Sequence, residues 1–153
     1  MLSRRARTEI LVESGPALAH DAAHAIEREL EVRVVVPPRQ GLVMNQVRET
    51  ARNSRFYLGE ALMSECRVRI GDVEGLGVVL GADGAFARSL ATIDAAYAVE
   101  PTPRVVAEID RRIDDAGREL ERRRAQEAAV VMGSRVSFDE MGGQDMSVQA
   151  VAK

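Results

Sequence analysis

The stretch Leu62-Met63-Ser64-Glu65-Cys66-Arg67-Val68-Arg69-Ile70 decides the fold. Apolar and small side chains occupy its even-numbered positions, and mostly charged side chains occupy the odd-numbered ones. A period of two is the period of a β-strand. Because only one face is apolar, the pattern predicts an antiparallel sheet with one buried face and one face toward water or a partner.

Further strands and helices can be placed outward from this stretch. A turn at Gly71-Asp72 and a returning strand at residues 73–80 follow it. Earlier strands are predicted at residues 32–36, 42–48 and 55–60, with Pro37-Pro38 ending the first of them. Helices are predicted at residues 16–30, 84–99 and 104–132, whereas residues 4–13 fit either a short helix or a strand. The sequence therefore predicts an α+β fold, an antiparallel sheet of about four to five strands packed by helices.

The last predicted helix is long and highly charged. Its apolar residues recur in a 3-4-3-4 spacing typical of a narrow coiled-coil seam. They are Val106, Ile109, Ile113, Ala116 and Leu120. We therefore expect this helix to project from the domain or to pack on a partner. The predicted organisation is an α+β domain at residues 1–100, the long helix with a C-terminal motif segment at 101–141, and a disordered tail at 142–153.

Composition excludes several classes of protein. The net charge is −3, and no concentrated basic excess predicts a nucleic-acid partner. Cys66 is the single cysteine, so an intramolecular disulfide cannot form. No apolar run approaches the roughly 20 residues needed to cross a bilayer, and no apolar leader follows the first residues. The sequence predicts a soluble cytoplasmic protein without membrane contact.

His20 and His24 form the most suggestive catalytic pattern. Two histidines four residues apart on a helix can bind one metal ion, and a stand-alone metal-dependent hydrolase is one alternative function. However, Leu18, Ala22 and Ile26 mark the buried side of this helix, and the helical wheel places both histidines on the opposite side. A catalytic zinc needs a third ligand and a shielded cavity. We therefore expect both histidines to face solvent.

Three further features of the sequence are of residue types that can carry chemistry. Cys66 lies on the apolar face of its strand and is expected to be a buried small residue rather than a nucleophile. Gly75 and Gly77 belong to no phosphate-binding loop and are expected to serve turns or close packing. Asp94 lies beside an apolar helical stripe and needs a partner, either within the domain or on another subunit.

Three segments in this order resemble one family. The first runs from Gly41-Leu42-Val43-Met44 through Arg55-Phe56-Tyr57-Leu58-Gly59-Glu60 to the alternating strand. The second runs from Gly75-Leu76-Gly77 to Ala91-Thr92-Ile93-Asp94-Ala95-Ala96. The third is Ser134-Arg135-Val136-Ser137-Phe138-Asp139-Glu140-Met141. Together they resemble PhnG, a subunit of the bacterial carbon–phosphorus lyase system. The turn at residues 49–54 departs from the glycine-rich turn of many PhnG proteins.

The resemblance implies a role in phosphonate catabolism. PhnG works with PhnH, PhnI and PhnL to make a ribose 1-alkylphosphonate 5-triphosphate from MgATP and an alkylphosphonate. It forms a core complex with PhnH, PhnI and PhnJ. No catalytic residue is carried over from the family. The resemblance therefore implies an accessory subunit of a transferase complex. Such a subunit binds no cofactor or metal of its own, and the complex uses MgATP.

Partner contacts are expected on the family motifs, on Asp94 and along the helical seam. The candidate interface residues are Arg55, Phe56, Leu58, Glu60, Asp94, Ile109, Ile113, Leu120, Arg135, Phe138 and Met141. The expected partners are PhnI-like, PhnH-like and PhnJ-like subunits and a PhnL-like ATPase, with a homodimer possible for the isolated chain. A homo-oligomeric helical adaptor outside phosphonate metabolism is the remaining alternative.

Overall fold

The computed structural model describes residues 1–133. Its elements are four helices and three strands, in an α+β arrangement, over these residues. They are α1 (Arg4–Ser14), α2 (Pro16–Glu29), β1 (Val32–Arg48), β2 (Arg55–Ile70), β3 (Val73–Leu80), α3 (Gly84–Ala98) and α4 (Arg104–Gly133). Of the two conformations open for residues 4–13, the helix forms, and Ser3 caps it by accepting a hydrogen bond from the amide of Ala6.

The sheet is antiparallel, in the order β1-β2-β3. The prediction of four to five strands was too high, because two pairs of predicted strands are each one continuous strand. Pro37 and Pro38 do not end β1. They lie on an edge strand, at a place where the register with β2 shifts, and both settings tolerate a residue without an amide proton. Gly59 interrupts β2 only locally, at another register shift.

Helix α3 covers the buried face of the sheet. Asp83 caps it by accepting a hydrogen bond of 2.8 Å from the amide of Phe86. Gly75 and Gly77 of β3 let the helix approach closely. A Cβ on Gly77 would lie 2.6 Å from the amide nitrogen of Ala91, and one on Gly75 would lie 2.8 Å from the Cβ of Ala95. These two glycines therefore serve packing, as expected.

Helix α4 contributes its apolar stripe to the core, which corrects the expectation of a partner-facing seam. Ile109 is 1% exposed and Ile113 is fully buried, and both belong to the main core cluster. Leu120 is also buried. At Gly117 a Cβ would lie 2.9 Å from Ile10 of α1, so the two helices pack closely there. The apolar seam of α4 is narrow, with about one residue per turn. Because Gly117 has no side chain, α1 of the same chain can come close enough to help bury this seam.

Residues Met1–Leu120 form one compact unit, and a second unit begins at Glu121. In the described part of that second unit, every residue at positions 121–132 is exposed. Within residues 1–133, no helix combines the length and apolar character that a bilayer crossing requires.

Candidate functional site

The most distinctive surface is a two-stranded ribbon formed by residues 41–48 of β1 and 55–62 of β2, called here the β arm. Strand β3 pairs with β2 only from Met63 to Ile70, so the arm has no third strand. Leu42 lies opposite Leu62, and Val47 lies opposite Phe56. A two-stranded ribbon is at best marginally stable in water without further packing. The arm therefore needs an additional surface if it is to be held firmly.

The arm exposes large apolar side chains on both of its faces. Leu42 and Tyr57 are each 64% exposed, and Leu58 is 68% exposed. The complete exposed apolar set of the arm is Leu42, Val43, Met44, Val47, Phe56, Tyr57, Leu58 and Leu62. Single exposed apolar residues are ordinary, whereas a contiguous group marks a surface that binds another molecule. Neighbouring strand positions point to opposite faces, so Leu42 and Val43 lie on different sides.

The turn at the tip of the arm is held by its own hydrogen bonds. The Glu49 carboxylate accepts hydrogen bonds from the Arg52 amide at 2.8 Å and from the Ser54 hydroxyl at 3.1 Å. The Glu49 amide donates to the Ser54 carbonyl, and Arg48 donates to the Asn53 side chain. The hydrogen bonds that the Glu49 carboxylate accepts, above all that from the Arg52 amide, lower the pKa of Glu49. The tip is thus ordered although it is exposed.

A cavity of about 270 Å³ lies at the base of the arm. It is lined by Arg39, Gln40, Gly41, Leu42, Val43, Met63, Glu65 and Val78. Arg39 and Glu65 form an ion pair across the two strands. The cavity is large enough for one or two side chains of a bound protein, flanked by apolar groups and one ion pair.

Four predicted interface residues, Arg55, Phe56, Leu58 and Glu60, lie on the arm and are exposed. Their contact with a partner stays a prediction. Ile109, Ile113 and Leu120 are buried within the chain, so the prediction that they form a partner surface is wrong. Arg135, Phe138 and Met141 lie outside the described residues, as does the predicted tail at 142–153.

Asp94 finds its partners inside the chain, which is the first of the two possibilities that the sequence left open. Its carboxylate accepts hydrogen bonds from Arg4 at 2.7 and 2.6 Å and from the Leu76 amide at 3.1 Å. Arg7 lies 3.5 Å from the same carboxylate and stacks on Tyr97, with its guanidinium carbon 3.9 Å from the ring centroid. Burial lowers the pKa of Arg7, and burial together with Asp110 raises the pKa of Tyr97.

The two histidines have different surroundings. Nδ1 of His20 lies 2.9 Å from the Ser89 hydroxyl, and its ring meets Phe86 edge-on. His20 is therefore half-buried and does not face solvent as expected. Helix α3 covers a wider arc of α2 than the predicted apolar stripe, since Ala23 is buried as well. His24 is exposed, 3.7 Å from Glu27. Among the described residues, no group of three His, Cys, Asp or Glu side chains is placed to hold a metal ion.

Cys66 is fully buried in the core, and its thiol lies 3.3 Å from the Val36 carbonyl oxygen. Burial raises the pKa of this thiol. A buried, protonated thiol is a poor nucleophile, which agrees with the structural role expected from the sequence.

The sequence interpretation missed much of the arm surface, namely Leu42, Val43, Met44 and Tyr57. A signal was available. Consecutive positions are apolar in residues 42–44 and 56–58, so these two stretches lack the strict alternation of residues 62–70. Such runs in an antiparallel strand indicate burial on both faces, and in this chain neither face of the arm is covered.

No curated protein sequence matched the chain. The model of one family, described as phosphonate metabolism protein PhnG, matches residues 2–143. The match includes both the arm and the cluster around Asp94. The chain therefore belongs to the PhnG family of phosphonate metabolism proteins.

Proposed function

We propose that this protein is an accessory, non-catalytic subunit of the carbon–phosphorus lyase core complex, and that the β arm is its main docking element. The observation that carries the proposal is the apolar surface on both faces of an otherwise unsupported two-stranded ribbon. A ribbon of this kind gains most stability when a partner encloses it from both sides, since each face then loses contact with water.

Membership of the PhnG family makes other Phn proteins the natural partners. The proposed first partner is a PhnI-like subunit, with PhnH-like and PhnJ-like subunits and a PhnL-like ATPase completing the system. The proposed reaction of the complex is the MgATP-dependent conversion of an alkylphosphonate to a ribose 1-alkylphosphonate 5-triphosphate. In this proposal MgATP and the reacting groups are held by partner subunits, and the isolated chain turns over no substrate.

The surroundings of the histidines and the cysteine support an accessory role. His20 pairs with a serine of α3, and His24 lies at the surface beside Glu27. Cys66 is enclosed in the core. A nucleophile needs a base within hydrogen-bond reach and an oriented third group. Ser89 and His20 lie within hydrogen-bond distance, so a hydroxyl and a base are present together. The described contacts of His20 include no carboxylate that could act as the third group.

The test is co-expression with a PhnI-like subunit followed by affinity capture and a binding titration. Replacing Phe56 and Leu58 together by serine removes two exposed apolar side chains without changing charge. If the arm contributes hot-spot contacts, the dissociation constant should rise at least about thirtyfold, which corresponds to roughly 2 kcal/mol. The isolated double variant should melt close to the parent chain, because both residues are exposed.

Val12→Ser is the matched control. Val12 is 45% exposed on α1, similar to the 44% of Phe56, and it lies outside the arm. It should leave the dissociation constant within about twofold of the parent value. Unchanged capture of the PhnI-like subunit by the Phe56→Ser, Leu58→Ser double variant would remove the arm from the proposed interface.

A further inference from the structure

A second cavity, separate from the arm surface, is bordered by α1, α3 and β3. Its volume is about 190 Å³. It is lined by Arg4, Arg7, Thr8, Leu11, Leu76, Val78, Leu90, Ile93 and Asp94. The lining thus combines two guanidinium groups and one carboxylate with five aliphatic side chains. A cavity this small is below the usual size of drug-binding pockets, so it suits a ligand of only a few heavy atoms.

Arg7 is the unusual member of this lining. Its side chain is only 7% exposed, although arginine is rarely buried unless it is paired. Its contacts are the 3.5 Å ion pair with Asp94 and the face of Tyr97. Neither is a short hydrogen bond, and a guanidinium carries five N–H donors in a planar fork. Every fully buried side-chain nitrogen and oxygen of the described residues has a hydrogen-bond partner, so an Arg7 donor without an acceptor is one that stays accessible, and Arg7 lines the cavity.

Arg4 is also only partly used. It binds Asp94 through Nε and Nη2, which leaves its second terminal nitrogen free of that pair. The Asp94 carboxylate in turn accepts the Leu76 amide. Within the lining itself two arginines face one aspartate, while Asp110, which accepts the hydroxyl of Tyr97, adds a negative charge behind Arg7. Guanidinium groups bind the two oxygens of a carboxylate or phosphoryl group especially well, so the two arginines are the groups that an anion in the cavity would contact.

We infer that this cavity binds a small oxyanion that carries a short alkyl group, with the oxyanion on Arg4 and Arg7 and the alkyl group among Leu11, Leu90 and Ile93. The aliphatic lining is what separates this ligand class from inorganic phosphate. A short chain of roughly two to four carbons would fill the apolar part of a cavity of this size. Carboxylates and phosphonates share this chemistry, and a binding experiment distinguishes them.

The experiment is an NMR titration of the isolated, folded chain with propionate, propylphosphonate and inorganic phosphate in turn. We expect saturable shifts of the Thr8, Leu76 and Val78 amides with at least one alkyl-bearing anion, and weaker binding of inorganic phosphate. Arg4→Gln removes an exposed cation at the cavity and should weaken binding by about tenfold, the loss of one charge-assisted hydrogen bond. Arg7→Met should abolish the saturable shifts.

Two other variants keep the test decisive if Arg7→Met does not fold. Thr8→Phe places a bulky ring at an exposed position of the lining and should block binding. Arg5→Gln makes the same charge change as Arg4→Gln on the same helix, but Arg5 is exposed and is not part of the lining, so binding should stay within about twofold of the parent value.

Each possible result either supports or overturns the proposed site. Saturable shifts that Thr8→Phe removes and Arg5→Gln retains support the site. Absence of saturable shifts with all three anions overturns it, as does an equal loss of binding in Arg4→Gln and Arg5→Gln, which would reflect general charge attraction. Inorganic phosphate binding as tightly as propylphosphonate overturns the role of the apolar lining. Because the titration uses the chain alone, its outcome does not depend on docking of the arm.

Discussion

The carboxylate of Asp94 on α3 accepts two hydrogen bonds from the guanidinium of Arg4 on α1, 90 residues away in sequence. The same carboxylate accepts the amide of Leu76 on β3 and faces Arg7 at 3.5 Å. One side chain thus joins three elements of the fold. Since the side chain of Asp94 is only 13% exposed, its charge is largely withdrawn from water and is balanced by these partners.

Replacing Asp94 by asparagine should destabilise the fold. The amide keeps the shape of the side chain but leaves the buried Arg7 without its counter-charge. Breaking one side of a buried ion pair typically costs about 3–5 kcal/mol, and we expect about 3 kcal/mol here because Arg4 is exposed. Urea denaturation followed by circular dichroism measures this loss. Asp72→Asn, in the exposed turn between β2 and β3, should change the free energy of unfolding by less than about 0.5 kcal/mol.

The close approach of α3 to the sheet gives a second prediction. In Gly77→Ala the new methyl group would meet the backbone of α3, including the Ala91 amide nitrogen at 2.6 Å, so helix and strand must separate. Overpacking of this kind costs about 1–3 kcal/mol. Gly41→Ala is the matched control, because a Cβ there meets nothing within 4 Å. Equal melting temperatures for the two variants would show that α3 does not approach β3 as closely as described.

The burial of the α4 stripe leads to a third prediction. Ile113 is fully buried in the core, whereas Val130 on the same helix is 73% exposed. Ile113→Ala should lower the free energy of unfolding of the isolated chain by about 2–5 kcal/mol, and Val130→Ala should lower it by less than about 0.5 kcal/mol. Chemical denaturation without any partner is the measurement. An unchanged free energy of unfolding for Ile113→Ala would restore this stripe as a partner surface.

Local patterns predicted the elements of this fold better than its connections. The alternation at residues 62–70 depends on a few neighbouring side chains, and its buried face was confirmed over residues 64–70, whereas Leu62 is exposed on the arm. The continuity of β1 through Pro37 depends on that strand lying at the sheet edge, which is a tertiary property. The burial of Ile113 likewise depends on tertiary packing, of which the close contact between α1 and α4 at Gly117 is a part. Neither the edge position of β1 nor the burial of Ile113 can be derived from the spacing of residues in the sequence.

The candidate site was likewise predictable only where local sequence patterns were sufficient. Phe56 and Leu58 were identified through the family motif, and the exposure of both was not evident from spacing. The partners of Asp94 lie on α1, a segment for which the sequence left helix and strand open. Arg7 was not singled out, because a single arginine on a short charged segment gives no sign that it will be buried.

The thiol of Cys66 should be almost unreactive toward alkylating reagents in the native protein. Its thiol is fully buried, and burial raises its pKa, so little thiolate forms near neutral pH. Alkylation by iodoacetamide at pH 8 should be at least about a hundredfold slower than in urea-unfolded chain, since it requires opening of the core. Timed alkylation followed by mass spectrometry measures both rates. Labelling of the native chain as fast as the unfolded chain would place the thiol at the surface.

The turn of the β arm should lose order in acid through Glu49. Its pKa is lowered in the folded arm, first by the hydrogen bond from the Arg52 amide, so the ionised form is the one that the turn binds. For a carboxyl with a lowered pKa, the stabilisation is fully present above the ordinary value of about 4.3 and disappears as pH falls through the folded value. The Arg52 amide resonance should therefore titrate at a pH below that ordinary value.

The Glu49→Gln variant supplies the control for this titration. Glutamine keeps an acceptor oxygen near the Arg52 amide but removes the titrating group, so the acid-dependent shift of that amide should vanish while the rest of the spectrum is retained. The same variant should make the arm tip more mobile at neutral pH, because a neutral acceptor binds an amide more weakly than a carboxylate does. An Arg52 amide that titrates identically in both proteins would assign the acid transition to another group.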